Sequence, residues 1–199
     1  MQMSPLRQTI LRTILILAVA GFALLGPTGP GESPPKSPSR AAAERAWLLA
    51  KVGEWEFTSE SHAGLGAEPG RGRGRTRVEA ALWGGLVIER VEGELMGLEY
   101  EGMFLSGHDE VLDRHHSTWI DSLGTGVTTL WGTREGSTLT LSGTMTDPIL
   151  GREVPYRLVE HRLSQDHLVL SMYSVDRDGA EFLSMRVDAR RIGTPSAGR

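Results

Sequence analysis

The chain has no cysteine, which excludes disulfides, thiolate metal sites, nucleophilic cysteine chemistry and an acylated lipoprotein anchor. Lysine is nearly missing too: Lys36 and Lys51 are the only two, and every other basic residue is arginine. Positive charge is not in excess. Net charge is −4, and setting aside Arg7, Arg12, Lys36, Arg40 and Glu32 in the first forty residues leaves 17 basic against 24 acidic residues, a net −7. That balance excludes nucleic acid as the main partner. Long apolar runs are also lacking. The longest, Ile14–Leu25, has twelve residues, short of the roughly 18–20 that a spanning helix needs. No internal repeat is visible.

What is present divides the 199 residues into four parts. Residues 1–25 have a basic start, Arg7 and Arg12, followed by the apolar run, which is the layout of a secretory signal. Ala18-Val19-Ala20 fits the small-residue cleavage rule but lies inside the run, so a later cut or an uncleaved membrane anchor through residues 6–25 is the other reading. Either way the expected location is outside the cytoplasm: periplasmic, extracellular or anchored to the inner membrane. Residues 26–40, GPTGPGESPPKSPSR, are rich in proline and poor in apolar side chains, so the expectation is a disordered linker. Residues 41–193 form the folded domain, and 194–199 a disordered tail. A domain of about 150 residues buries roughly 70% of its extended surface and needs no staples.

The domain opens with AAAERAWLLAKV, Ala41–Val52, which the spacing of Trp47 and Leu48 predicts as one short helix docking through that face. From Gly53 onward short runs rich in Val, Leu, Thr, Trp and Tyr alternate with glycine-bearing turns. This pattern predicts an all-β fold of about ten antiparallel strands, joined by tight turns such as Gly84-Gly85, Gly107-His108-Asp109 and Gln165-Asp166. A meander of that length removes its exposed edges by closing into an up-and-down barrel.

Gly53-Glu54-Trp55 places a G-x-W strand directly after the helix. Further on come Glu101-Gly102-Met103, Ser106-Gly107-His108-Asp109, Thr118-Trp119-Ile120-Asp121-Ser122, Asp147-Pro148, Arg152-Glu153-Val154 and Met172-Tyr173. In this order and spacing the chain resembles the bacterial family catalogued as domain of unknown function 1579, a calycin-type barrel related to lipocalins and fatty-acid-binding proteins. The resemblance spans roughly Ala46 to Arg191 and departs from the family where His108 stands in place of a tyrosine and where Arg71–Arg77 replaces a Thr/Lys stretch. It implies the calycin-like fold, export in many members and at most a cavity. It supplies no catalytic residue.

Three constellations carry the candidate chemistry. The run GRGRGRTR places Arg71, Arg73, Arg75 and Arg77 on one strand face. With Gly84-Gly85 as a two-residue turn, Arg77 pairs with Glu92, Arg75 with Glu94 and Glu79 with Arg90. That describes an outer charge ladder in preference to an anion site. On the strand before Gln165-Asp166, Val159, His161 and Leu163 share a face with Leu168, Leu170 and Met172 across the turn. His161 is then the one polar group on an apolar, inward face, and in the resemblance an inward histidine on a late strand is similar to the haem ligand of nitrobindin-type calycins. Trp119 and Asp121, two apart, also share a face. Inward, they place a carboxylate beside an indole, with Arg152 or Arg157 as its partner; alternatively Asp121 caps the strand end at the rim. His115 and His116 point to opposite faces and cannot chelate one ion together, so no metal site is expected.

No Ser–His–Asp or paired-carboxylate arrangement is assignable from spacing. The leading reading is a non-catalytic binding module for a small apolar or amphipathic molecule, with Trp119, Asp121, His161 and Met172 as ligand-binding residues and no cofactor. The alternatives are a haem-binding, nitrobindin-like barrel handling small oxidants and an interaction module with a filled barrel. N-terminal sequencing of the exported protein should find a start between Gly21 and Ala41. Recovery from the soluble cytoplasmic fraction alone would contradict the export reading.

Overall fold

The computed structural model describes residues 39–124 and 126–193. The segments read as signal or anchor, most of the linker and the tail 194–199 lie outside them. Helix α1 (Arg40–Leu49) is followed by β1 (Gly53–Ser61), β2 (Gly70–Ala81), β3 (Leu86–Leu95), β4 (Leu98–Asp109) and β5 (Arg114–Asp121). The chain continues through β6 (Thr128–Glu135), β7 (Thr138–Asp147), β8 (Arg152–Ser164), β9 (His167–Val175) and β10 (Glu181–Gly193). Each strand pairs antiparallel with its neighbours in sequence, and β1 pairs with β10, so the ten strands form a closed up-and-down barrel. Closure leaves no strand edge unpaired.

The helix begins earlier than the composition suggests. Ser39, the penultimate residue of the expected linker, is the N-cap, and its hydroxyl accepts from the Ala42 amide at 3.2 Å. The helix also ends earlier, at Leu49, where the amides of Lys51 and Val52 turn back to the carbonyls of Leu48 and Leu49 before Gly53 opens β1. Trp55, two residues on, then lies under the helix. Its indole donates to the Lys51 carbonyl at 2.9 Å, and the Arg191 guanidinium covers its ring at 4.4 Å. The G-x-W signature thus locks the helix to the first and last strands.

Strand alternation sorts the side chains. Trp55, Phe57, Val78, Val87, Leu95, Leu168, Val187 and Ala189 point inward and form one buried cluster with Leu48. Leu130, Leu139, Leu141, Leu158 and Met172 form a second. At about 1.5–3 kcal/mol for each fully buried large side chain, these clusters dominate the stability of the barrel. The arginine run follows the same rule: Arg71, Arg73, Arg75 and Arg77 are exposed, while Gly70, Gly72 and Gly74 face the lumen. The inward glycines make room for their neighbours. A Cβ on Gly74 would lie 2.7 Å from the Phe57 ring and 2.2 Å from the Glu92 carbonyl oxygen.

The outer ladder exists, but its register differs from the two-residue-turn expectation. Leu82, Trp83, Gly84 and Gly85 form a four-residue connection, with Leu82 at φ 49° and Trp83 at φ 56°. The pairing therefore shifts by two residues: Arg75 faces Glu92, Arg73 faces Glu94, and Arg77 faces Arg90. Relief comes from the other side, where β1 sets Glu54 beside Arg77 and Glu56 beside Arg75, with ion pairs at 3.6 and 3.2 Å. The turn expected at Gly107-His108-Asp109 also moves. Strand β4 runs on to Asp109, whose carboxylate accepts from the amides of Val111 and Leu112 at 3.0 Å each.

Because Arg75 is largely exposed, its pairing is screened. Arg75→Ala should cost less than about 1 kcal/mol in denaturant unfolding, and the cost should shrink in high salt. A larger, salt-independent loss would show that the ladder has a role beyond surface charge matching.

Candidate functional site

The two ends of the barrel differ. One end is closed by α1, which buries Glu44 and Leu48 and is followed by the buried Lys51. The Lys51 ammonium is buried between Glu89 of β3, at 2.7 Å, and Glu160 of β8, at 2.8 Å. Arg162 completes this group: it bonds Glu160 at 2.8 Å, donates to the Trp47 carbonyl at 2.5 Å and lies 3.4 Å over the Trp47 ring. Beside it, Glu44 accepts from Arg134 at 2.6 and 2.9 Å and pairs with His115 Nε2 at 2.9 Å. Three carboxylates are matched by three cations in this plug.

Burial opposes ionisation of Glu160, but Lys51 and Arg162 outweigh it and hold the carboxyl at about 2. Glu44 is likewise held at about 2, where the bonds from Arg134 and His115 overcome burial. Lys51 is penalised first by burial, yet Glu160 and Glu89 raise it above its ordinary value. These groups are charged because each has its partner.

The opposite end carries no helix among the described residues. Its inward face gathers Tyr100 and Phe104 of β4, Trp119 and Asp121 of β5, and Tyr156 of β8, all only partly buried. The Trp119 ring is 3.8 Å from Phe104 and 6.1 Å from Tyr100, centroid to centroid. It lies flat over Gly102, where an added Cβ would be 2.3 Å from the indole. Trp119 Nε1 donates to Asp121 at 2.5 Å, and the other carboxylate oxygen accepts from the amides of Leu123, at 2.8 Å, and Gly124, at 2.5 Å. Burial raises Tyr100 and Tyr156 above the ordinary tyrosine value, and the Asp121 charge adds to both. Elsewhere on the inward wall, the buried hydroxyls of Ser59 and Ser61 find no partner among the described residues.

The residues predicted for the site divide. Trp119 and Asp121 come together at the mouth, and Asp121 is both inward and a cap for the strand end. Arg152 and Arg157 are not its partners: Arg157 pairs with Glu181 at 2.6 Å and covers Tyr173, while Arg152 is exposed and reaches the Glu153 carbonyl. Met172 is inward but belongs to the packed core with Leu130 and Leu158.

His161 requires correction. The Gln165-Asp166 turn forms as expected, with Ser164 opposite His167, but Leu163 is an extra residue in the ladder. A bulge of one residue reverses the faces beyond it. Glu160 and Arg162 therefore point inward, while His161 is exposed and bonds Thr138 Oγ1 at 2.8 Å. The histidine geometry on which the haem alternative rested is not met.

Sequence reading missed Tyr100 and Tyr156 at the mouth and the whole of the plug's charge network. A signal did exist for Glu89, which interrupts the inward alternation of Val87 and Val91. Lys51 and its carboxylates are far apart in the chain, so spacing alone does not join them.

Comparison with known proteins now bears on the barrel as a whole. Residues 40–191 match the family described as protein of unknown function, DUF1579. The chain belongs to the DUF1579 family. The DUF1579 span starts at the first residue of α1 and ends at Arg191, the residue that covers Trp55, so plug and mouth both fall within it. No curated protein matches the chain. Among solved structures, one similar chain is EF1p2_mFAP2b bound to DFHBI, with 13% identity and a TM-score of 0.40, covering 76% of this chain and 98% of that one.

The plug makes a pH-dependent contribution to stability. Glu160 and Glu44 have folded values depressed to about 2 from 4.5, so their contribution is complete above about pH 4.5 and is lost as pH falls toward 2. Lys51→Met leaves two buried carboxylates with less positive charge and should cost about 3 kcal/mol or more at pH 7. The deficit should narrow as the pH is lowered, because the variant's carboxyls protonate more readily. Unfolding in denaturant at a series of pH values checks both; a small, pH-independent loss would mean the ammonium is not buried as described.

Proposed function

We propose that this is an exported, non-catalytic binding barrel that takes up one small amphipathic molecule through its open mouth. The observation that carries this reading is a group of inward aromatic side chains at one end of the lumen that keep accessible surface. Below, Leu130, Val78, Val87 and Leu168 are almost completely removed from solvent. At the mouth Tyr100, Phe104, Trp119 and Tyr156 face inward yet keep accessible surface. Aromatic walls with a few fixed polar groups are the usual lining of small-molecule sites, and barrel mouths are a common place for them. Trp119 and Asp121 remain in the proposed site. Tyr100, Phe104 and Tyr156 join them, Met172 forms its floor, and His161 is left out. Export rests on the basic start and apolar run of residues 1–25, and a membrane tether there would hold the barrel at a surface.

Titration of the full chain with the neutral fluorophore N-phenyl-1-naphthylamine should show saturable uptake of about one equivalent. Tryptophan emission should fall with it by energy transfer. Gly102→Ala places a methyl group where the indole rests and should weaken uptake while leaving the strand pairing intact. Absence of saturable uptake would favour the filled, purely structural barrel.

A further inference from the structure

The inward carboxylates of this barrel are not treated alike. Glu44, Glu89 and Glu160 each have an arginine or lysine within 3 Å. Asp121 has none among the described residues. Its three bonds come from an indole N–H and two backbone amides, which orient the carboxylate without cancelling its charge. The surrounding groups are aromatic: Trp119 against its own oxygen, Tyr100 stacked on Trp119, and Tyr156 close enough to feel its charge. A second carboxylate at the same rim, Asp147, also has only amide partners among the described residues, those of Ile149 and Leu150.

A fixed negative charge among ring faces is a complement for positive charge. The faces of tyrosine and tryptophan carry the negative part of the ring quadrupole and attract cations. A substituted organic cation also loses less hydration than a metal ion or ammonium when it enters such a box. A free carboxylic acid or phosphate would meet repulsion at the same place. We infer that the amphipathic ligand of the mouth carries an organic cation, a substituted or quaternary ammonium, seated against Asp121 and the faces of Tyr100 and Trp119. This rests on the uptake reading above and adds to it the sign and class of the ligand's polar group.

Phenyltrimethylammonium and tert-butylbenzene have the same shape and differ by one charge. Calorimetric or competition titration of the full chain should find the cation bound at least ten-fold more tightly. Asp121→Asn should bring the two affinities together. Trp119→Phe keeps an aromatic face and the Asp121 charge, so it should keep the preference for the cation. Equal affinities in the unsubstituted protein, or a preference that survives Asp121→Asn, would overturn the inference; the first of these needs no variant and so does not depend on how well one folds. Uptake of N-phenyl-1-naphthylamine without any cation preference defeats the charge assignment alone. Failure of all three probes to bind defeats the uptake reading with it.

Discussion

Lys51 holds together two walls that face each other across the barrel. Its ammonium bridges Glu89 on β3 and Glu160 on β8, strands that lie halfway round the ring from one another in either direction. Burying an ammonium is costly, and the cost is offset only if both carboxylates reach it with good geometry. This requirement fixes several things together: the depth of the helix end, the inward orientation of Glu89, and the bulge at Leu163 that turns Glu160 and Arg162 toward the lumen. One ion cluster thereby sets the register of elements more than a hundred residues apart. It also decides which end of the barrel is closed.

The barrel wall itself depends on a simpler constraint, alternation. In GRGRGRTR the arginines face water and the glycines face Phe57 and Leu95, whose side chains occupy the space that other residues' side chains would need. The same logic recurs at Gly102, where the missing side chain is the bed on which Trp119 lies. The glycines of β2 thus serve the core, and the glycine of β4 serves the mouth. Alternation is a property of neighbouring residues. The strands, most of the turns, the outward arginines and the inward pair Trp119 and Asp121 are therefore legible in the amino-acid sequence alone.

What is not legible there depends on single residues or on distant ones. The expectation for β8 has the correct turn but lacks one bulged residue, and with period-2 geometry one residue is enough to exchange His161 for Glu160. The β2–β3 register moves by two because Leu82 and Trp83 adopt left-handed conformations that bulky residues rarely take. A two-residue shift preserves the faces, so the arginines stay outside although their partners change. The glutamates of β1 escape notice as those partners because their pairing with β2 crosses a loop that gives no turn signature. Tyr100 and Tyr156 join the site only through closure of the barrel, which brings β4 and β8 to a common lumen.

Plug and mouth treat charge in opposite ways, and the difference bears on what the mouth is for. In the plug, charge is balanced within the chain, and the aromatic ring of Trp47 is already covered by the guanidinium of Arg162. Two of the plug's ring and guanidinium nitrogens, His115 Nδ1 and Arg162 Nη2, are buried without a partner among the described residues. At the mouth, Asp121 is oriented but not neutralised, and among the described residues Tyr100 and Trp119 have no cation over them. Ser59 and Ser61 keep unbonded hydroxyls on the inward wall. Asp121 and the ring faces of Tyr100 and Trp119 lie together at one end and share negative character, and on that shared chemistry rests the proposed preference for a positively charged guest.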